Sequence, residues 1–350
     1  MTVKSSAAAE HSAVSPRNSR GPVLTWKLGL GVLGVIALLL LSLMVGEYSI
    51  LDNEDGWSMF FTTRIPRTVA LVLAGAAMAM SGLVMQLLTQ NRFVEPTTTG
   101  TTEWAGLGLL FSLILFPHSS VLVKMVISVS FAFVGTMVFF AFLRRVALRS
   151  SLIVPIIGIM LGAVVSAVSS YVALATDTLQ QLGIWFMGSF TSVYEGQYEV
   201  LWIVLLVLMA VYFYADKLTV AGLGEDIATN IGLNYQRMIL LGTGLIAVAT
   251  GVVTVVVGAL PFLGLIVPNV VSMIRGDDLR SNLPWVCLLG IATVTLCDLI
   301  GRTIISPFEM PVSVILGIVG AIVFVVLILS LIHISEPTRL RQLSRMPSSA

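Results

Sequence analysis

Charge is scarce in this chain. Only 11% of its 350 residues are Asp, Glu, Lys or Arg, against 57% hydrophobic, whereas a soluble domain is about one-quarter charged. A water-exposed globule is therefore excluded. Cysteine is limited to Cys287 and Cys297, ten positions apart in one apolar run and so roughly 15 Å apart along a helix. They cannot bond to each other, and no disulfide framework or thiolate metal site is indicated. The three histidines, His11, His118 and His333, fall in the N-terminal tail, an outer turn and the C-terminal end. An intramembrane His/Glu/Asp catalytic constellation is missing. No G-x-x-x-x-G-K-[ST] phosphate loop occurs, so any nucleotide-driven work would need another chain. Acids are also sparse at membrane depth, with Asp298 the clearest candidate, which gives an ion-coupled carrier little to work with.

What remains is apolar sequence in long runs, with a mean hydropathy of +0.99. The expected fold class is an all-α polytopic membrane protein with about ten transmembrane helices, since roughly 20 apolar residues span a bilayer. The runs lie at 25–45, 66–88, 98–116, 120–142, 152–175, 196–214, 237–257, 262–275, 282–301 and 311–329. The domain plan is a disordered cytoplasmic tail over 1–24, a transmembrane domain over 25–329, and a separate C-terminal piece over 330–350. The second run is rich in Gly75, Ala76, Ala77, Ala79, Ser81 and Gly82, the small residues that let helix backbones approach closely in lipid. It is expected at the centre of the bundle, with Met78, Met80 and Met85 filling irregular gaps. The eighth run is too short to span and carries Pro261, Gly264 and Pro268, so it reads as a broken or re-entrant helix.

Lysine and arginine set the threading. With the N-terminus in the cytoplasm, twelve fall in cytoplasmic segments and four, Arg64, Arg67, Lys124 and Arg302, in outer ones; this bias supports that orientation. The outer arginines go against the trend and suggest either snorkelling to lipid phosphate or docking of acidic groups from an external partner. Asp298 and Arg302 have the spacing of a helix-surface pair. On the cytoplasmic side, Ala215–Arg237 contains Gly224, Glu225, Asp226, Ile227, Ala228 and Gly232, which read as a short helix between two glycines, either a connector or a docking element. Arg67, Gly75 and Gly82 in run 2 are echoed by Arg237, Gly244 and Gly251 in run 7, hinting at inverted repeats of spans 2–5 and 7–10.

Seven motifs in order, R-I-P-R at 64–67, S-G-L-V-M-Q at 81–86, N-R-F-V-E-P at 91–96, W-F-M-G-S at 185–189, G-E-D-I-A at 224–228, P-F-L-G-L-I-V-P-N at 261–269 and D-L-I-G-R-T-I-I-S-P-F-E-M-P at 298–311, resemble the FecCD-type permeases of ABC importers for ferric siderophores, haem and cobalamin. The resemblance implies a non-enzymatic subunit of the bacterial cytoplasmic membrane that binds no cofactor. Its implied partners are a second permease, identical or homologous, two ATPase subunits that use ATP, and an extracytoplasmic siderophore-binding protein; no nucleic acid is expected. By position it implies docking of that binding protein at Arg64, Arg67 and Arg302, and coupling to the ATPase through Gly224–Gly232. Gly264, Pro268, Asn269, Asn91 and Pro96 are the gate or pathway candidates. Many members have His where this chain has Asn269, and N-R-F-V-E-P-T-T-T-G-T-T-E-W with P-N resembles the branch for catecholate siderophores such as enterobactin, petrobactin or vibriobactin-type ligands. Haem or cobalamin import is the alternative within the family, and an ion-coupled secondary transporter lies outside it.

Residues 330–350 depart from the family. L-S-L-I-H-I-S-E-P-T-R at 329–339 looks like the translation of a transposase-library sequencing adapter, and the segment is expected to be an assembly artefact.

Overall fold

A computed structural model describes residues 25–46, 56–145 and 153–343. The expected tail over 1–24 lies outside the described residues. All regular elements described are helical. They are α1 (Trp26–Met44), α2 (Gly56–Met59), α3 (Ile65–Thr89), α4 (Thr101–Leu115), α5 (Val121–Arg145), α6 (Ile153–Ala175), α7 (Leu179–Phe186), α8 (Ile203–Ala221), α9 (Glu225–Asn230), α10 (Tyr235–Val256), α11 (Leu263–Arg275), α12 (Leu279–Thr303) and α13 (Val312–Leu343). Seven of the apolar helices are long enough to cross a membrane and three are shorter, which accounts for the ten expected runs. The two ends of the bundle are called outer and inner after the charge-bias threading.

α3 is the axis of the bundle. In its apolar window 83% of residues are buried, against 11% in α1. The cause is its small residues. A Cβ on Gly82 would stand 1.9 Å from the Gly264 carbonyl oxygen of α11, and one on Gly75 would stand 3.0 Å from backbone atoms of Gly290 and Ile291 of α12. Close backbone contact replaces the hydrophobic drive that lipid cannot supply. Met78, Met80 and Met85 are buried around it.

The packing agrees with the expected repeat. α3 packs on α11 and α12, while α10 packs on α4 and α5, and α3 and α10 touch each other. These contacts exchange when spans 2–5 are matched to spans 7–10.

Two spans are broken rather than one. α11 has 13 residues, as the short eighth run suggests, but α4 has only 15; at 1.5 Å per residue both fall short of a bilayer core of about 30 Å. Each starts after a residue with left-handed backbone, Gly100 at φ 79° and Phe262 at φ 62°. The loops before them therefore dip into the bundle from opposite ends. Two further boundaries differ from expectation. The sixth span continues to Ala221, because Ala215 and Leu218 are buried against the core, so the inner connection is only 222–234. The apolar stretch before Phe186 forms the short helix α7, which hydrophobic run length alone does not distinguish from a loop. α13 continues as helix to Leu343, past the end of the tenth run at 329.

Candidate functional site

At the outer end, four charged side chains from three segments form one network. Arg67 of α3 places Nη2 2.7 Å from Asp298 Oδ1 of α12, and donates through Nη1 and Nη2 to the two carboxylate oxygens of Glu309, at 3.1 and 2.9 Å. Arg302 lies one turn beyond Asp298 and comes within 2.8 Å of its other oxygen, the pair the spacing suggests. Asp298 is 0% exposed at its side chain, and both arginines are mostly withdrawn from solvent. Two positive and two negative charges thus cancel locally. Arg302 also donates to the carbonyls of Ser42 and Val45, at 3.1 and 2.8 Å, and to the Ser42 hydroxyl. Arg64 donates to the Leu43 carbonyl at 2.9 Å. These are carbonyls at the end of α1, where the helix has no further amides to offer them. The three outer arginines are brought together around one cleft of about 220 Å³ shared with Glu309 and Thr191.

Glu309, in the loop after α12, also accepts from the Thr191 hydroxyl at 2.8 Å. Partial burial would raise its carboxyl, but the hydrogen bonds and charge of Arg67 outweigh that and hold it below the usual carboxylate range.

In the middle of the bundle the gate candidates meet around the broken helix α11. Pro268 has no N–H, so the Gly264 carbonyl four residues earlier loses its helical donor. Gln86 of α3 supplies one, its Nε2 lying 3.2 Å from Gly264 O and 3.3 Å from Leu265 O. Asn269 Nδ2 donates to the carbonyls of Leu265 and Arg92, both at 2.7 Å, tying α11 to the loop 90–100. Asn91 turns that loop by accepting from the Phe93 N–H at 2.9 Å. Pro96 gives its carbonyl to the Thr101 N–H at the start of α4. Gly264, Pro268, Asn269, Asn91 and Pro96 are all buried. They form a packed joint whose polar atoms bond within the chain.

At the inner end, α9 begins at Gly224, whose φ of 106° suits glycine, and closes before Gly232 at φ 86°. Glu225 and Asp226 occupy its first turn and Ala228 is buried beneath it. Leu223, Ile227 and Ile231 are 55%, 46% and 66% exposed. Ile227 and Ile231, one helical turn apart, share one side, and Leu223 is exposed just ahead of the helix; the three make an apolar patch on the inner surface.

The bundle thus has a charged cluster at its outer end, two short helices whose preceding loops meet inside it, and an apolar patch at its inner end. Residues 32–330 match the FecCD transport family. The chain belongs to this family. Petrobactin import system permease protein FatD of Bacillus anthracis is 59% identical over 312 residues, covering 89% of this chain and 92% of that protein. Petrobactin import system permease protein YclN of Bacillus subtilis is 40% identical, covering 84% and 95%. The solved structure of a metal-chelate type ABC transporter in an inward-facing conformation superposes with a TM-score of 0.76 at 24% identity, covering 87% of this chain and 99% of that one. It supports the FecCD fold.

Two residues of this FecCD chain escaped the sequence reading. Acids are not absent from the interior. Glu95 is 1% exposed; its Oε1 accepts the Phe262 N–H ahead of α11 at 2.8 Å and the Thr97 hydroxyl at 2.6 Å. It thus joins the two re-entrant loops. Glu103, on α4, lies with Cδ 3.5 Å from where a Cβ on Gly162 of α6 would be. Glu95 falls in the polar connection between the second and third runs, which reads as a surface loop, whereas Glu103 lies inside the third run at 98–116, a membrane-depth acid that the sequence reading passed over.

Proposed function

We propose that this chain is a permease subunit of an ABC importer for a ferric siderophore of the catecholate type, in the cytoplasmic membrane of a bacterium with its N-terminus inside. The supporting observation is 59% identity, over nearly full length, to a permease named for petrobactin import. The partners in this reading are a second permease chain, two ATPases that hydrolyse ATP, and an extracytoplasmic binding protein. The subunit itself need only offer two packings whose balance nucleotide shifts.

The arginine cluster gives docking a specific form. Arg67 already holds Glu309, so an acidic group on the binding protein would displace that carboxylate rather than meet open charge, while Arg64 stands at the rim. Arg302, locked to Asp298 and α1, would orient the cluster. The inner patch of Leu223, Ile227 and Ile231 would enter the ATPase surface, with Gly224, Glu225, Asp226, Ala228 and Gly232 shaping the α9 segment that carries it. The buried joint of Gly264, Pro268, Asn269, Asn91 and Pro96 is where α11 and α4 would pivot. Residues 330–350 are proposed to be foreign to the gene, and resequencing the locus tests this directly.

The function is tested in proteoliposomes holding the permease, its ATPase and its binding protein, by ATP-dependent uptake of radiolabelled iron from ferric petrobactin, with haem and cobalamin as competitors. Uptake of the siderophore alone is expected. Transport of haem or cobalamin in its place would overturn the substrate, and uptake that survives loss of the ATPase would overturn the class.

A further inference from the structure

Lys124 is the fourth outer cation and stands apart from the other three. It opens the outer end of α5, and its ammonium lies 6.0 Å from the centre of the Trp185 ring of α7. It pairs with no carboxylate among the described residues, whereas Arg67 and Arg302 each do. It lines a cleft of about 430 Å³ between α5, α7, the segment 189–197 and the last turn of α10. Among the described residues Lys124 is the only charged one in that lining. The rest of the rim offers the indole of Trp185, the phenol of Tyr194 with the Gln197 amide 2.6 Å from its oxygen, and the hydroxyls of Ser192 and Thr254. The floor is fixed by the Ser189 N–H donating to the Val257 carbonyl at 2.9 Å, and a Cβ on Gly258 would stand 2.3 Å from the Trp185 carbonyl.

We infer that this cleft is a subsite for one arm of an anionic, aromatic iron chelate at the outer mouth of the permease. This rests on the siderophore reading above. One unpaired ammonium selects an anion, Trp185 and Tyr194 offer faces to a ring, and the hydroxyls and amide suit phenolate and carboxylate oxygens. The volume falls in the range of small-molecule pockets of about 300–1,000 Å³. A lysine over an indole at a membrane surface also suits a lipid phosphate, but here it lines a concavity that mixes apolar side chains such as Val121, Ile184 and Met187 with neutral polar ones.

The test is equilibrium binding of ferric petrobactin to the assembled importer in zwitterionic nanodiscs, read by quenching of tryptophan emission. Lys124→Gln is expected to weaken binding about tenfold, the size of a lost charge-assisted contact, and Lys124→Arg to restore it to within about threefold. Co-purification of the binding protein is expected to be unchanged in both. Equal binding by wild type and Lys124→Gln, with wild-type uptake intact, would overturn the subsite alone. Loss of binding in anionic-lipid nanodiscs for wild type but not for Lys124→Gln would assign Lys124 to lipid headgroups and overturn it too. No ferric petrobactin uptake by the wild-type importer would instead overturn the substrate reading, and the subsite's ligand with it.

Discussion

The outer and inner ends of the bundle handle polarity in opposite ways. At the outer end, Arg67, Arg302, Asp298 and Glu309 satisfy one another and are partly sealed from solvent. At the inner end the ion pairs Arg92–Asp277 and Arg280–Asp216 lie largely open to solvent, Leu223, Ile227 and Ile231 stay exposed, and Glu225 and Asp226 form no ion pair among the described residues. A closed network contributes to holding the chain together, whereas an open patch contributes little to the isolated subunit. The contrast separates what stabilises the fold from what is available to a partner.

The strongest way to break the outer end is Asp298→Asn. It leaves two withdrawn arginines without their shared acid, and a loss of about 3–5 kcal/mol is expected. The thermal midpoint of the detergent-solubilised chain measures it, and an unchanged midpoint would mean the network is not structural. Next comes the axis itself. Gly82→Ala pushes a methyl into the Gly264 carbonyl and is expected to cost about 1–3 kcal/mol. Gly29→Ala, on α1 with nothing within 4 Å of the new carbon, serves as control and is expected to stay within about 0.5 kcal/mol.

A smaller effect is expected from Glu309→Gln, up to about 1 kcal/mol at neutral pH because the pair is partly exposed. Its pH dependence has a definite sign. Since the folded carboxyl lies below the ordinary value of about 4, its contribution is full above that value and is lost as pH falls through the lowered one. The wild-type and variant midpoints should therefore converge only in acid. Convergence near neutral pH would place the shift in the other direction. Ile227→Asp should move the midpoint least of all, while ATP-dependent uptake falls at least tenfold, roughly 1.4 kcal/mol of coupling. A large drop in stability with uptake retained would reverse the proposed roles of the two ends.

Much of the fold was legible because lipid imposes simple rules. Ten apolar runs, a small-residue helix at the centre, a proline-broken α11 and the Asp298–Arg302 spacing all follow from span length, side-chain volume and helical periodicity. The remainder depends on contacts between distant segments. Arg67 looks like a free surface cation until Asp298 and Glu309 are brought against it, and nothing in the spacing of Arg302 announces the end of α1. Glu95 looks like a loop acid until Phe262 arrives from 167 residues away. Gln86 looks like the polar end of a span until Pro268 leaves a carbonyl for it to bond. In each case one partner's sequence is ordinary, and only the meeting gives it a role.

The hold of Arg302 on α1 also bears on how the protein is made. α1 is fastened by a side chain that follows Ser42 by 260 residues. At about 5–20 residues per second, translation takes roughly a quarter of a minute to a minute to cover that distance. Arg64 reaches the Leu43 carbonyl early, but throughout that interval the Ser42 and Val45 carbonyls await their donor, so the insertion machinery or surrounding lipid must shelter the end of α1 until α12 arrives. A nascent chain arrested before residue 302 should accordingly leave α1 exposed to crosslinking with insertion factors, and one arrested well beyond it should not.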